Sequence, residues 1–161
     1  MANYTGANVI TTSDVLKYQP DAFDFGISTT ATETTNFLAQ TTNDILRNLR
    51  IEWWPVYKQN IFTDITVLNT AEMVNTKVNL DQFERAGVYL FLGRFYLPAL
   101  TKFRPETEKD RFERMAEYYM AQYNIEWRMI LEDGVEYDVD SSGTIVSNER
   151  EPLHGFRRLT R

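Results

Sequence analysis

The stretch Arg111-Phe-Glu-Arg-Met-Ala-Glu-Tyr-Tyr-Met-Ala-Gln-Tyr-Asn-Ile-Glu-Trp-Arg-Met-Ile130 decides the fold class of this chain. Its large apolar side chains recur every three or four residues, which is the spacing of one face of an α-helix. The stripe consists of Phe112, Met115, Tyr119, Tyr123, Trp127 and Ile130. It predicts a long helix that begins near Pro105 or Thr107 and ends at about Asp133, with Gly134 as its C-terminal cap.

Two helices are predicted in the first third of the chain. A short one follows Ser13, whose side chain suits an N-cap position. A longer one carries an apolar stripe from Phe37 to Trp53. It is expected to end before Pro55, because proline disfavours helical geometry in the residue that precedes it.

A third upstream helix is predicted from Asn79 to Leu97, where Pro98 ends or kinks it. Its second half, from Val88 onward, is apolar on nearly every face. Such a helix is normally buried on all sides. It is therefore either a central core helix or one that a neighbouring subunit covers.

Residues 56–79 give a weak signal. Ile61–Leu68 is rich in residues that favour β-structure, so an extended conformation is expected there. Thr70–Lys77 is expected to form a short helix.

Together these patterns predict a mainly α protein. We expect a helical bundle with a long C-terminal helix, followed by a β-hairpin or acidic loop and an extended tail. No internal repeat or linker divides the chain, so a single domain is expected over residues 1–161. Its core would occupy about 10–134, the hairpin or acidic loop 135–149, and the C-terminal arm 150–161.

The stretch after the long helix has the spacing of a calcium-binding loop. Oxygen-bearing residues occupy positions 1, 3, 5, 7 and 12, and Gly143 stands at the sixth position, where such loops turn sharply. The candidate ligands are Asp138, Asp140, Ser142, Thr144 and Glu149. Calcium is the one cofactor that the sequence suggests.

Three features oppose a complete helix–loop–helix calcium site. Val146 fills the ninth position, Gly134 ends the incoming helix early, and Pro152 limits any outgoing helix. The alternative is a β-hairpin whose turn lies around Asp140–Gly143, without a tightly bound metal. Both interpretations stay open at this point.

The composition argues against several functional classes. A net charge of −6 is unfavourable for a conventional nucleic-acid binder. The chain has no Cys and a single His, His154, so it offers no thiolate metal site, Cys nucleophile or paired-His zinc site. No catalytic constellation is recognisable, and a non-enzymatic protein is expected. No segment is long and apolar enough to span a membrane, so we expect a soluble protein.

The C-terminal arm is the candidate partner-binding segment. It combines one aromatic residue with several arginines, which are common anchors at protein interfaces. The candidate residues are Phe156, Arg157, Arg158 and Arg161.

The order of these segments resembles the head–tail connector proteins of tailed bacteriophages, which are also called adaptor or head-completion proteins. The resemblance rests on the layout of residues 10–150 and on short stretches: Thr-Ser-Asp-Val-Leu-Lys-Tyr, Thr-Asn-Asp-Ile-Leu-Arg-Asn-Leu, Phe-Glu-Arg-Ala-Gly-Val-Tyr-Leu-Phe-Leu and Arg-Phe-Glu-Arg-Met-Ala-Glu-Tyr-Tyr. The long helix that runs into Gly-Val-Glu-Tyr-Asp-Val-Asp-Ser-Ser-Gly-Thr-Ile is its most specific part.

The resemblance implies a structural neck component of a phage virion, assembled in the host cytoplasm. Such proteins form a homo-oligomeric ring, commonly a dodecamer, between the portal protein and the tail or the next neck protein. The ring extends the channel through which DNA passes during genome ejection, without specific binding, and offers a platform for tail docking. The alternative function is a calcium-binding interaction module ordered by the EF-hand-like loop.

Overall fold

The structure is a computed structural model that describes residues 7–101, 110–146 and 149–151. Within these residues the chain is mainly α-helical, as predicted. The helices are α1 (Thr12–Tyr18), α2 (Thr32–Asn48), α3 (Trp54–Ile61), α4 (Ile65–Thr70), α5 (Glu84–Leu90), α6 (Leu97–Leu100) and α7 (Arg111–Asp133). Short 3₁₀ turns lie at Ala22–Phe25, Asn75–Lys77 and Leu80–Phe83. Two short strands, β1 (Val135–Glu136) and β2 (Arg150–Glu151), complete it.

The long C-terminal helix is confirmed as α7. Its described part begins at Arg111, whose N–H is bonded to the side chain of Asp110 at 2.6 Å. The predicted start at Pro105 or Thr107 lies outside the described residues. Gly134 ends the helix as predicted: its N–H donates to the carbonyl of Ile130 and its φ is 101°, in the left-handed region.

The prediction that the second helix ends before Pro55 is wrong. A π-helical turn, Leu49–Trp53, joins α2 to α3, and Pro55 lies inside the first turn of α3. The N–H of Trp54 donates to the carbonyl of Leu49, five residues back instead of four. This wider turn moves the preceding carbonyls away from the proline ring, so helical conformation continues to Ile61.

The same arrangement recurs at Pro98. A π-helical turn, Phe91–Tyr96, follows α5, and the N–H of Leu97 donates to the carbonyl of Leu92. Pro98 then sits in the first turn of α6. Each proline is thus preceded by one widened turn, which is a known cause of irregularity in long helices.

Two further local predictions are corrected. The N-cap of α1 is Thr11, not Ser13. Ile61–Leu68 is not extended: α3 includes Ile61, and α4 begins at Ile65. Of the helix predicted over Thr70–Lys77, the structure has the 3₁₀ turn Asn75–Lys77.

The described residues form two compact units. The first takes residues 7, 46–82, 128–146 and 149–151, and the second takes residues 8–45, 83–101 and 110–127. Nothing in this division tests the prediction of a single domain over residues 1–161, which stays a prediction.

The first unit has an aromatic core. The rings of Trp53 and Tyr57 stack with centroids 4.3 Å apart, and Tyr137 lies against both of them and against Trp54. Val78 forms an isolated antiparallel bridge with Tyr137. This core fixes the base of the segment that continues into the acidic loop.

The second unit is built around the apolar helix at residues 84–97. Val88, Leu90, Phe91, Leu92, Tyr96 and Leu97 are all buried within the chain itself. Of the two alternatives left open by the sequence, the central core helix is therefore the one that the structure has.

Candidate functional site

The acidic loop, defined as residues 138–149, connects the two strands of an antiparallel hairpin. Val135 is opposite Glu151, and Glu136 is opposite Arg150. The loop is therefore flanked by strands and not by a pair of helices. Its described residues are 138–146 and 149.

The fold brings three of the five predicted ligands together. Carboxylate oxygens of Asp138, Asp140 and Glu149 all lie within 4.8 Å of one another. Asp138 and Glu149 are buried, with 5% and 4% of their surface exposed, while Asp140 is exposed. Buried carboxylates need hydrogen-bond donors or a cation, because removing a charge from water is costly.

Backbone N–H groups supply donors to both buried carboxylates. Oδ1 and Oδ2 of Asp138 accept the N–H groups of Ser142 and Gly143 at 3.0 and 2.8 Å. Oε1 and Oε2 of Glu149 accept the N–H groups of Val139 and Val146 at 2.9 and 3.0 Å. The loop backbone is thus folded around the two buried carboxylates and hydrogen-bonded to them.

The other two predicted ligands take part in the turn. The Ser142 hydroxyl donates to the carbonyl oxygen of Thr144 at 3.1 Å. Ser141 and Gly143 have φ values of 62° and 76°. Gly143 therefore supplies the left-handed conformation that the sequence predicted for it.

The exposed carboxylate of the cluster has a shifted pKa. The Ser142 hydroxyl and then the Ser142 backbone N–H lower the pKa of Asp140 below its ordinary value, because both stabilise the ionised form. At pH 7 Asp140 is therefore ionised.

The cluster fits calcium in part. Calcium binds six to eight oxygens at about 2.3–2.6 Å, so two ligands on opposite sides of one ion are about 5 Å apart. The 4.8 Å spread of the three carboxylates fits that limit. Two features oppose calcium binding. Val146 occupies the ninth position, where such loops often have a polar residue that reaches the ion through water. Each carboxylate oxygen of Asp138 and Glu149 also already accepts a backbone N–H.

The partner-binding residues predicted in the C-terminal arm, Phe156, Arg157, Arg158 and Arg161, lie outside the described residues. At the base of the arm, Arg150 lies 3.7 Å from the carboxylate of Glu136 and 3.9 Å from that of Asp133.

A second candidate surface was not predicted from the sequence. We call residues 61–70 the apolar segment; it includes α4, none of whose residues is buried. Ile65 is 72% exposed, and Val67 is also exposed. These two exposed apolar side chains make α4 a candidate contact surface.

The sequence signal for this surface is a group of apolar residues, Ile65, Val67 and Leu68, within one very short helix. A six-residue helix that starts and ends in extended backbone has few neighbours to bury its side chains. Its N-cap Asp64 and its C-cap Ala71 both have β-region dihedral angles. The sequence shows the apolar residues but not how little of the chain covers them.

Comparisons of the chain with known proteins found no related protein. No protein-family model, no curated protein and no solved structure matches the chain. Of the helices in the described part of the chain, none combines the length and the apolar character needed to cross a bilayer. The fold class, mainly α, is what the structure establishes.

Proposed function

We propose that this chain is a non-enzymatic structural subunit of a tailed-phage neck. It assembles as a homo-oligomeric ring between the portal protein and the tail, extends the DNA channel and provides a platform for tail docking. The segment layout described above, in which a long helix runs into an acidic hairpin loop, is the basis for the phage assignment. Its location is the virion neck.

The observation that carries the assembly part of the proposal is helix α4, which buries none of its residues. A short helix gains most of its stability from burying an apolar face. A helix that leaves Ile65 and Val67 exposed and covers Leu68 only in part is best explained by a neighbour that covers it in the working assembly.

The outward face of α7 supports the same proposal. Tyr118, Ile125 and Met129 are each more than half exposed. They are spaced by seven and four residues, so they lie on one face of the helix. Tyrosine and methionine are enriched at protein interfaces relative to the rest of the surface.

One argument for assembly is removed by the fold. The apolar helix at residues 84–97 is covered by its own chain, so it requires no neighbouring subunit. The proposal therefore rests on α4 and on the outer face of α7.

Sedimentation and negative-stain imaging test the proposal directly. The full chain is mixed with purified portal rings of the same phage, and we expect it to move into a fast-sedimenting species that images as a second ring. The chain without portal is the reference, because rings of this kind can require a template. A chain that stays monomeric and ignores the portal contradicts the proposal.

A second candidate function is calcium binding, because the fold gathers Asp138, Asp140 and Glu149 within 4.8 Å. In this function the ion orders the acidic loop and thereby the base of the C-terminal arm. Calcium is the only cofactor proposed.

Calorimetric titration with CaCl₂ tests this second function. We expect binding heat and a raised melting temperature for the natural chain, both lost in the double variant Asp138→Asn, Asp140→Asn. Asp81→Asn is the matched control, because Asp81 is an exposed carboxylate outside the loop. Absence of heat and of any thermal shift in the natural chain removes calcium binding as a function.

A further inference from the structure

The apolar segment has a local conflict between its sequence and its conformation. Seven of its ten residues are β-branched or aromatic: Ile61, Phe62, Thr63, Ile65, Thr66, Val67 and Thr70. It contains no Gly or Pro, and Asp64 is its only charged residue. Segments of this composition favour strands and pair readily with other strands.

The structure nevertheless has a helix at Ile65–Thr70, held by local hydrogen bonds and, at its C-cap, by the indole N–H of Trp54, which donates to the carbonyl of Ala71 at 3.3 Å. The Asp64 carboxylate caps it by accepting the N–H of Thr66 at 2.8 Å. Leu68 and Ala71 then donate to carbonyls four residues back. A helix this short is marginal in water without tertiary packing, and α4 has no buried residue.

Little of the backbone has to change for this segment to become a strand. Phe62 has φ −106° and ψ 119°, Asp64 has φ −80° and ψ 118°, and Ala71 has φ −67° and ψ 123°. All three already lie in the β-region. Only residues 65–70 are helical between them.

We infer that the apolar segment is a helix-to-strand switch: it is the helix α4 in the single subunit and a β-strand in the assembled ring, hydrogen-bonded to a neighbouring copy of this chain. This inference rests on the proposed function, because it needs the ring. To the proposed function it adds the identity of the segment that makes the contact and the change in its conformation.

A second copy is the occupant that the charges favour. Each copy carries a net charge of −6, so copies repel one another except where their surfaces are weakly charged. Residues 59–71 carry one charge in thirteen positions, that of Asp64. The segment is therefore a place where two like-charged copies can approach closely.

The structure also identifies an edge for the new strand. In the described part of the chain β2 pairs with β1, and no described strand pairs with its other side. The half-exposed Arg150 of β2 is opposite in charge to Asp64. A segment of one copy on the β2 edge of the next is a head-to-tail contact, the type that closes rings.

A proline substitution separates the two conformations. Ile65 is the first residue of α4, where proline is well tolerated, and Asp64 before it already has the extended geometry that proline requires. In a strand the same proline removes a ladder N–H. Ile65→Pro thus preserves the helix and blocks a strand in which the Ile65 N–H faces the neighbouring copy. Ile65→Ala is the matched control, since it removes the side chain and keeps the N–H.

The test is assembly on portal rings, measured by sedimentation, with circular dichroism and melting to confirm folding. We expect the natural chain and Ile65→Ala to form rings, and Ile65→Pro to fold but lose at least ten-fold of its ring formation. Equal assembly of Ile65→Pro, together with unchanged hydrogen exchange of residues 65–70 on assembly, overturns the switch and leaves the proposed function standing. Equal loss in both variants also overturns it, because the side chain and not the backbone then makes the contact. No ring with the natural chain overturns both proposals.

Hydrogen exchange on the natural chain gives an independent answer if Ile65→Pro does not fold. In the free chain the amides of residues 65–70 should exchange rapidly, because α4 is exposed and short. In the ring they should be protected at least ten-fold. Unchanged exchange on assembly overturns the inference.

Discussion

Two glycines mark the closest approaches to the central helix of the second unit. A Cβ added at Gly93 would lie 2.9 Å from the backbone nitrogen of Met120 and 3.0 Å from the carbonyl oxygen of Ala116. A Cβ added at Gly87 would lie 2.8 Å from Ile10 Cγ2 and 3.0 Å from Val9 Cγ1, which are side-chain methyl groups. Side chains can shift more easily than the backbone of a helix.

The two glycines therefore respond differently to alanine. We expect Gly93→Ala to lower the free energy of unfolding by about 1–3 kcal/mol, although alanine is the better helix former by about 1 kcal/mol. Gly87→Ala, the matched comparison, should cost less because methyl groups can give way. Chemical denaturation of both variants measures the difference. A larger loss at Gly87 would show that α7 yields more readily than the chain before α1.

The pKa of Asp140 offers a residue-level test of the acidic loop. The Ser142 hydroxyl is the chief cause of its lowered pKa, and the Ser142 backbone N–H is the second. That hydroxyl has one proton, which also faces the Thr144 carbonyl, so the backbone N–H at 2.9 Å is the more constant donor. Ser142→Ala should therefore raise the pKa of Asp140 only part of the way to its ordinary value of 3.8.

The sign of the resulting pH dependence follows from the lowered pKa. The folded state holds Asp140 ionised more strongly than the unfolded state does, so its contribution to stability is present above the unfolded pKa. That contribution is lost as the pH falls through the folded pKa. A carbon-detected NMR titration of the carboxyl group checks this, with Thr144→Val as the control that keeps Ser142. An Asp140 pKa above 3.8 in the natural chain would contradict the described loop.

The start of α1 shows how a neighbouring residue can replace an expected cap. Thr11 and Asp14 form a reciprocal capping box: the Thr11 hydroxyl oxygen accepts the Asp14 N–H at 3.3 Å, and the Asp14 carboxylate accepts the Thr11 N–H at 2.8 Å. Ser13 lies inside the first turn. Ser and Thr have similar capping preferences, so the sequence Thr11-Thr-Ser13 does not distinguish them.

We expect Thr11→Ala to destabilise the chain by about 1 kcal/mol, because one N–H of the first turn loses its acceptor. Ser13→Ala should change stability by less than about 0.5 kcal/mol, as surface substitutions usually do. Thermal melting of the two variants measures the contrast. A larger loss for Ser13→Ala would place the cap at Ser13, as the sequence alone suggested.

The elements that were predictable are those whose apolar residues repeat over several turns. The stripe of α7 and its terminal Gly134 predict the helix and its end, because periodicity and a left-handed cap are local properties. The passage through Pro55 was not predictable, since a π-helical turn depends on how the flanking helices pack. Ile61–Leu68 was predicted as extended from β-propensity, but a helix begins at Ile65, where the Asp64 side chain caps it.

At the level of the whole molecule, the sequence predicted part of the candidate site. The spacing of Asp138, Asp140 and Glu149 predicted that their carboxylates would meet, and they do. The spacing did not predict that backbone N–H groups would donate hydrogen bonds to both oxygens of each buried carboxylate. The sequence shows the apolar residues of α4 but not their exposure, because exposure depends on where the rest of the chain lies.

The charge of the assembled protein leads to a prediction about salt. Copies that each carry −6 repel one another, and at low salt this repulsion extends over tens of ångströms. The proposed contact surfaces, the apolar segment and the outer face of α7, expose apolar side chains such as Ile65, Tyr118 and Met129, and these contacts should weaken little when charges are screened. Added salt should therefore remove more repulsion than attraction.

We expect ring formation on portal to increase several-fold between about 20 mM and about 300 mM NaCl, because the screening length falls from about 20 Å to about 6 Å. Sedimentation at fixed protein concentration measures the ring fraction. Sucrose of matched osmolality is the control, since it changes water activity without screening charge. A ring fraction that falls with salt would mean that ion pairs hold the copies together. Charged residues would then replace α4 and α7 as the contact surface.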